Sequence, residues 1–305
     1  MSVQRIKLNN GVLMPEIGLG TWNANKEGIL FETVKKAVDL GYRHFDCAKF
    51  YANQVEIGKA LKEVTVPRKE LFITSKIWNN RHRPELVPGA LDEILEELQL
   101  EYLDLLLMHW PFASRLETNS PEPPLDEMDN VPIMDTWKAM EALVDSGKVR
   151  AIGVSNFNKD ILQKMLPQCR IVPAVNQVEI HPYNQSFELV RFCQENGIAV
   201  TGYCPLGGEM VPVLEDDIIK QLAKMHSCTP AQVALSWALS RGIIVIPKST
   251  NELRLKQNLE KVALTSDELA MISKIEKHKR KVDPVRYVKH LEWVFHEDKA
   301  KCPLI

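Results

Sequence analysis

"DLLLMHWP", residues Asp104 to Pro111, is an apolar run of strand length that opens on a carboxylate and stops on an imidazole. Outward from it in both directions the same unit recurs: "EIGLG" (16–20), "YRHFD" (42–46), "LFITSK" (71–76), "LDLLLMH" (103–109), "VRAIGVSN" (149–156), "PAVNQVE" (173–179), "IAVTGY" (198–203) and "IIVIPKS" (243–249). Segments of helical period lie between them. Phe31, Val34 and Val38 share a face over 31–40, and Ile161, Leu162, Met165 and Leu166 share one over 160–166. Thr229 is a candidate N-cap with Pro230 at the first helical position, and Thr265 with Glu268 has capping-box spacing, with Leu264 and Leu269 at staple spacing. Strand and helix alternation from end to end indicates a parallel α/β sheet. Eight such units in a chain of 305 residues predict a (β/α)8 TIM barrel, a single domain over 1–305, with chemistry at the C-terminal ends of the strands.

Two segments stand outside the alternation. "QRIKLNNGVLMP" (4–15) reads as a β-hairpin turning at Asn9, Asn10 and Gly11, placed to close the bottom of the barrel. "SPEPPLDEMDNVP" (120–132) reads as a long loop, because alternation resumes unchanged after it.

Composition excludes several function classes. With 38 basic and 40 acidic residues well mixed and a net charge of -2, no basic stripe is available for nucleic acid. No apolar stretch reaches the roughly 18 residues of a membrane span, and "MSVQRIKLNN" lacks the apolar core of a signal peptide, so a cytoplasmic protein without stable membrane association is expected. Six cysteines without C-x-x-C spacing read as reduced thiols, and His44 with Cys47 alone makes no metal site. "CPLI" puts Cys302 in the frame of a prenylation box behind Lys299 and Lys301, but a box so short arises by chance, and a tail packed on the fold is the preferred reading.

The strand ends carry the chemistry: Asp46, Lys76, His109, Ser155 with Asn156, Gln177, Tyr203 and Lys248. Each alone has a structural explanation, such as a satisfied histidine, a simple ion pair or a core tyrosine. Together they would bury an Asp, a Lys, a His and an amide cluster on one face, each in need of partners, and a functional site explains that better.

"GYRHFDCAKFYANQVEIGKAL" (41–61), "ITSKIW" (73–78), "LLLMHWP" (105–111), "GVSNF" (153–157), "NQVEIHPY" (176–183), "YCPLG" (203–207) and "IPKS" (246–249) together resemble the signature segments of the aldo-keto reductase family, in the family's order. The match runs from Gly18 to Asn258 and is similar to the aldose and xylose reductase branch. The resemblance implies the same barrel, with a long C-terminal tail, Val282 to Ile305, over the active-site face. It also implies NADPH-dependent reduction of aldehydes, aldoses and some ketones, with a catalytic tetrad of Asp46, Tyr51, Lys76 and His109. The residue types suit the reaction. A carbonyl needs a hydride at carbon and a proton at oxygen; a phenol supplies the proton if a nearby ammonium lowers its pKa, normally about 10. Lys76 takes that part with Asp46 as counter-ion, and His109 orients the carbonyl oxygen.

For the cofactor, the resemblance implies a nicotinamide stacked on Tyr203, its carboxamide held by Ser155, Asn156 and Gln177. It counts Thr21, Trp22, Cys204 and Leu206 among the cofactor contacts. Lys248 and Arg254 are assigned to the adenosine 2′-phosphate, with Ser249, Thr250, Gln257 and Asn258 beside them. "GLGTWN" (18–23) has only two of the three glycines of a Rossmann fingerprint, so the rival dinucleotide fold is weak.

Three departures bear on specificity. Cys204 stands where the family commonly has serine, "GGEMVPVLEDD" (207–217) is shorter than the cofactor-clamping loop of many aldose reductases, and Gln257 stands where many NADPH-strict relatives have glutamate. An amide at that place resembles dual-cofactor xylose reductases, so NADPH is expected to be preferred and NADH usable. Trp22 and Trp110 align, with His109, on the family's substrate pocket. The expected partner is a small-molecule carbonyl and the expected assembly a monomer or weak homodimer. The alternative, a cofactor-binding regulatory or structural barrel without turnover, is disfavoured by the intact tetrad.

Overall fold

The structure, a computed structural model, describes residues 4–24, 26–120, 125–283 and Val294. It opens on the hairpin: β1 (Arg5–Lys7) pairs antiparallel with β2 (Leu13–Pro15), Arg5 opposite Pro15. Gly11 at φ 86° turns the chain, and the Leu8 N–H donates to the Val12 carbonyl at 2.9 Å. The turn is also tied to the barrel, since Asn9 Nδ2 donates to the Pro173 carbonyl at 3.1 Å and Asn10 Nδ2 to that of Arg150 at 3.0 Å.

Next come β3 (Leu19–Gly20), β4 (His44–Asp46), β5 (Phe72–Ile77), β6 (Leu105–Met108), β7 (Ala113–Ser114), β8 (Met128–Asp129), β9 (Ile152–Ser155), β10 (Val175–Glu179), β11 (Ala199–Tyr203) and β12 (Ile243–Val245). Eight of them form one sheet in the order β3-β4-β5-β6-β9-β10-β11-β12, every pairing parallel. The sheet closes on itself: Ile17 bridges Val245, Gly18 N–H donates to the Val245 carbonyl at 2.8 Å, and Val245 N–H donates to that of Glu16 at 2.9 Å. The barrel and all eight strand positions therefore agree with the sequence reading.

Strand alternation sorts the side chains by chemistry as well as by face. Phe72, Leu105, Ala151, Val175 and Ile244 point inward at the start of their strands and cluster with Leu8 and Met14 of the hairpin, which plugs that end. Two and four residues further along the same inward rows lie Thr74 and Lys76, Leu107 and His109, Gly153 and Ser155, and Gln177 and Glu179. The outward rows, including Ile73, Leu106, Met108, Ile152, Val154 and Val200, join the apolar layer beneath the helices. Asp104 at the bottom end of β6 is fully buried. It accepts from Arg68 at 2.7 Å, Arg150 at 2.8 Å and the Ile73 N–H at 2.9 Å. The run that opened the sequence reading is thus anchored below by a carboxylate and armed above by an imidazole.

Helix boundaries differ slightly from the periodicity. The helix expected from Phe31 starts at Ile29 after Gly28 at φ 78°, and that expected over 160–166 is Lys159–Met165, capped by Asn158 Oδ1 accepting from the Ile161 N–H at 2.9 Å. Full capping boxes start Pro230–Ser240, through Thr229 and Gln232, and Ser266–Ser273, through Thr265 and Glu268. The proline-rich loop is partly ordered by pairing, because β8 returns to β7 with Ala113 opposite Asp129. Of the tail, only Val282, Asp283 and Val294 are described; Cys302 lies outside the described residues. Among the described residues no helix is long and apolar enough to cross a membrane.

The closing seam has no room for a side chain. A Cβ on Gly20 would lie 2.6 Å from the Ile246 carbonyl oxygen, on the wall between the first and last strands. Gly20→Ala is expected to lower stability by about 1 to 3 kcal/mol, as overpacking typically does. Urea unfolding with an unchanged midpoint would contradict a tight seam.

Candidate active site

Where the inward rows end at the top of the barrel, a cavity of about 570 Å³ opens. At its floor Lys76, with no solvent exposure, donates from Nζ to Asp46 Oδ2 at 2.7 Å, to the Cys47 carbonyl at 2.8 Å and to the Tyr51 hydroxyl at 3.2 Å. Tyr51 reaches this point on a short 3-10 turn, Lys49–Tyr51, that follows β4. From behind, Glu97 holds that turn, accepting from Lys49 Nζ and, at 2.9 Å, from Gln54 Nε2. His109 stands across the cavity, its ring centroid 5.9 Å from that of Tyr51 and edge-on to it. The four predicted tetrad residues meet at one place although they come from separate strand ends and a turn.

The amide cluster forms the adjoining wall. Gln177 Nε2 donates to Asp46 Oδ1 at 2.8 Å, which joins this wall to the floor. Ser155 Oγ donates to the Gln177 carbonyl at 2.9 Å, Asn156 Nδ2 to the His109 carbonyl at 3.0 Å, and the Tyr203 hydroxyl to Asn156 Oδ1 at 2.8 Å. Thr21 Oγ1 fixes the backbone of Asp46 at 2.8 Å. An aromatic face beside amide and hydroxyl groups, all lining one cavity, fits a flat polar ring such as a nicotinamide.

Electrostatics qualify one expectation. Burial first, and the Asp46 carboxylate second, hold the Tyr51 phenol well above its ordinary 10, so it is protonated at neutral pH. The lowered pKa expected from Lys76 is corrected accordingly: the ammonium favours the phenolate, but loss of water outweighs it. Burial, followed by the charge on Lys76, keeps His109 well below 6.5 and hence neutral, and its Nδ1 is buried without a partner. Burial raises the Cys204 thiol to about 12, so at this position it is an uncharged group.

Of the remaining predicted residues, Trp22, Trp110, Cys204, Leu206 and Lys248 line the cavity. Ser249, Thr250, Arg254, Gln257 and Asn258 do not line it. Arg254 is exposed on the helix Glu252–Asn258, with its N–H capped by Asn251 Oδ1 at 3.0 Å, whereas Asn258 is buried against the Tyr42 hydroxyl. Sequence reasoning missed Phe50 and Trp78, whose rings stack at 3.9 Å, and Lys281 at the root of the tail. Trp78 was legible in principle, two residues beyond Lys76 on the same face; Phe50, in a turn, offers no periodic signal. Trp22 stacks on Phe50 at 5.6 Å and Trp78 meets His109 edge-on at 5.0 Å, which makes one side of the pocket aromatic.

Comparison with known proteins shows the family and the fold. The model of the Aldo/keto reductase family matches residues 16–277. The chain is 43% identical over 299 residues to "Aldo-keto reductase family 1 member A1" of Cricetulus griseus, covering 92% of each chain. Among solved structures, the aldose reductase from Schistosoma japonicum superposes with a TM-score of 0.91 at 41% identity, covering 97% of this chain and 100% of that one. An aldo-keto reductase of Bombyx mori in complex with NADP superposes with a TM-score of 0.86 at 35% identity, covering 94% and 97%.

The neutral imidazoles make stability pH-dependent. Burial lowers His44 to about 4 and His82 to about 3, and His109 is depressed as well, from an unfolded value of 6.5. A base whose folded pKa is depressed takes up protons preferentially in the unfolded chain. Stability is therefore complete above pH 6.5 and falls below it, by up to about 1.4 kcal/mol per pH unit for each such histidine. Urea unfolding between pH 7.5 and 5 should show this fall, with a shallower slope in His82→Phe; a flat profile would contradict the neutral assignment.

Proposed function

The chain belongs to the aldo/keto reductase family and is an NAD(P)H-dependent oxidoreductase; from that premise we propose that it reduces aldehydes and aldoses, and some ketones, to alcohols, with Tyr51 as the general acid. The observation that carries the reading is the bond from Gln177 Nε2 to Asp46 Oδ1, because it joins the group that positions a cofactor ring to the carboxylate that holds the Lys76 ammonium beside Tyr51. When bound, the nicotinamide supplies the hydride; Ser155, Asn156, Gln177 and Tyr203 would hold it, with Thr21, Trp22, Cys204 and Leu206 along the channel.

The protein's own part is to orient the carbonyl and manage one proton. His109 is neutral, and in the tautomer that carries its hydrogen on Nε2 it donates to the carbonyl oxygen. Tyr51 gives its proton to the same oxygen as negative charge develops there. The phenolate left behind is stabilised by the Lys76 ammonium at 3.2 Å, and Asp46 holds that ammonium in place. Burial supports this assignment, since the acid starts each cycle protonated. The aromatic side formed by Trp22, Phe50, Trp78 and Trp110 favours carbonyls with an apolar or aromatic body.

Lys248 and Arg254 recognise the 2′-phosphate in this reading, and the uncharged Gln257 leaves NADH usable. Arg254→Ala is expected to weaken NADPH about 10-fold, the lower end for a hydrogen bond to a charged group because Arg254 is exposed, and to leave NADH almost unchanged. Parallel losses for both cofactors would sink the assignment. Tyr51→Phe is expected to retain cofactor binding while turnover with a panel of aldehydes and aldoses falls by about 10² to 10⁴, the usual contribution of a general acid. Retention of more than about a tenth of the activity would demand another proton donor.

A further inference from the structure

The described residues that line the cavity include two cations with no ion-pair partner among the described residues, Lys248 and Lys281. Lys248 is taken up by the reading above. Lys281 has no role in it, yet the fold goes to some length to place it. Glu179, the last residue of β10, is fully buried, and its carboxylate accepts the backbone N–H groups of Lys281 and, at 2.7 Å, of Val282. His181 Nε2 lies 2.8 Å from the same carboxylate. A buried carboxylate with three partners is a rigid anchor, and it fixes the root of the tail to the top of the barrel.

From that anchor the Lys281 side chain crosses to the loop after β11. A Cβ on Gly208 would lie 2.9 Å from Lys281 Nζ, so the ammonium rests directly against the backbone of that loop. Cys204, Pro205, Leu206 and Gly207, which precede Gly208 in this loop, line the cavity directly after Tyr203. In the proposed cofactor pose the nicotinamide rests at Tyr203 and the 2′-phosphate at Lys248 and Arg254. The two phosphates that join the halves of the dinucleotide must pass between those ends, along this stretch.

We propose that Lys281 binds the cofactor's diphosphate, as a clamp formed by the tail root and the Gly208 loop and held in position by Glu179. The proposal rests on the cofactor reading and extends it.

The diphosphate is common to NADPH and NADH and absent from 2′-AMP, which separates the outcomes. Dissociation constants for the three nucleotides are measured by fluorescence titration without substrate, at low salt, in wild type, Lys281→Ala, Lys281→Arg and Gly208→Ala. The expected result is a loss of about 10-fold for NADPH and NADH alike in Lys281→Ala, with 2′-AMP unchanged and most of the loss restored in Lys281→Arg. Gly208→Ala, which crowds the ammonium without deleting it and also strains the loop at φ 148°, should weaken both dinucleotides in the same direction. Unchanged constants in Lys281→Ala, or a loss confined to NADPH and 2′-AMP, would overturn the proposal and leave the cofactor reading intact. A wild-type protein that binds neither dinucleotide would overturn both.

Discussion

The buried pair of Lys76 and Asp46 is the constraint on which the site depends. Each ion loses several kcal/mol of hydration when enclosed. A pair in that position is tolerable only when the remaining hydrogen-bonding capacity is filled. Lys76 fills its three donors with Asp46, the Cys47 carbonyl and Tyr51, while Asp46 accepts from Lys76 on one oxygen and from Gln177 on the other. No member can move without stranding a charge. The requirement to satisfy this pair thus ties Tyr51 and the amide wall to groups on β4, β5 and β10.

The same inward rows divide the barrel into two kinds of interior. At the strand starts they are apolar and are sealed by the hairpin, through Leu8 and Met14. At the strand ends they are polar and open to a cavity. The apolar end excludes water from one side of the ion pair, so the Lys76 ammonium acts on Tyr51 with little screening. That exclusion also explains why the Tyr51 phenol stays protonated and why the imidazole of His109 stays neutral. Both follow from loss of water before any neighbour is considered.

At the mouth, conformation and chemistry are divided among different segments. The turn that carries Phe50 and Tyr51 is braced from outside the barrel by Glu97 on the helix Val87–Leu98. The root of the tail is braced by Glu179 at the end of β10. Loops set on a rigid scaffold by carboxylates, half-buried in Glu97 and fully buried in Glu179, can present precise groups without regular structure of their own.

Much of this was legible in the amino-acid sequence. Eight apolar runs and the helical stripes between them determine the barrel, because only a closed parallel sheet under helices buries them all. The polar residues at the run ends mark the face that carries chemistry, and the ordered segments identify the family and with it Tyr51. What periodicity left undecided is which way each residue points. A run such as "LDLLLMH" is apolar on both faces, so Leu107 beneath His109 and Met108 under the helices look alike until the sheet closes. Phe50, Glu97, Glu179 and Lys281 belong to this second class. Their roles rest on contacts between distant segments, such as Glu179 with Lys281, and such contacts exist only once burial has brought those segments together and made every polar group find a partner.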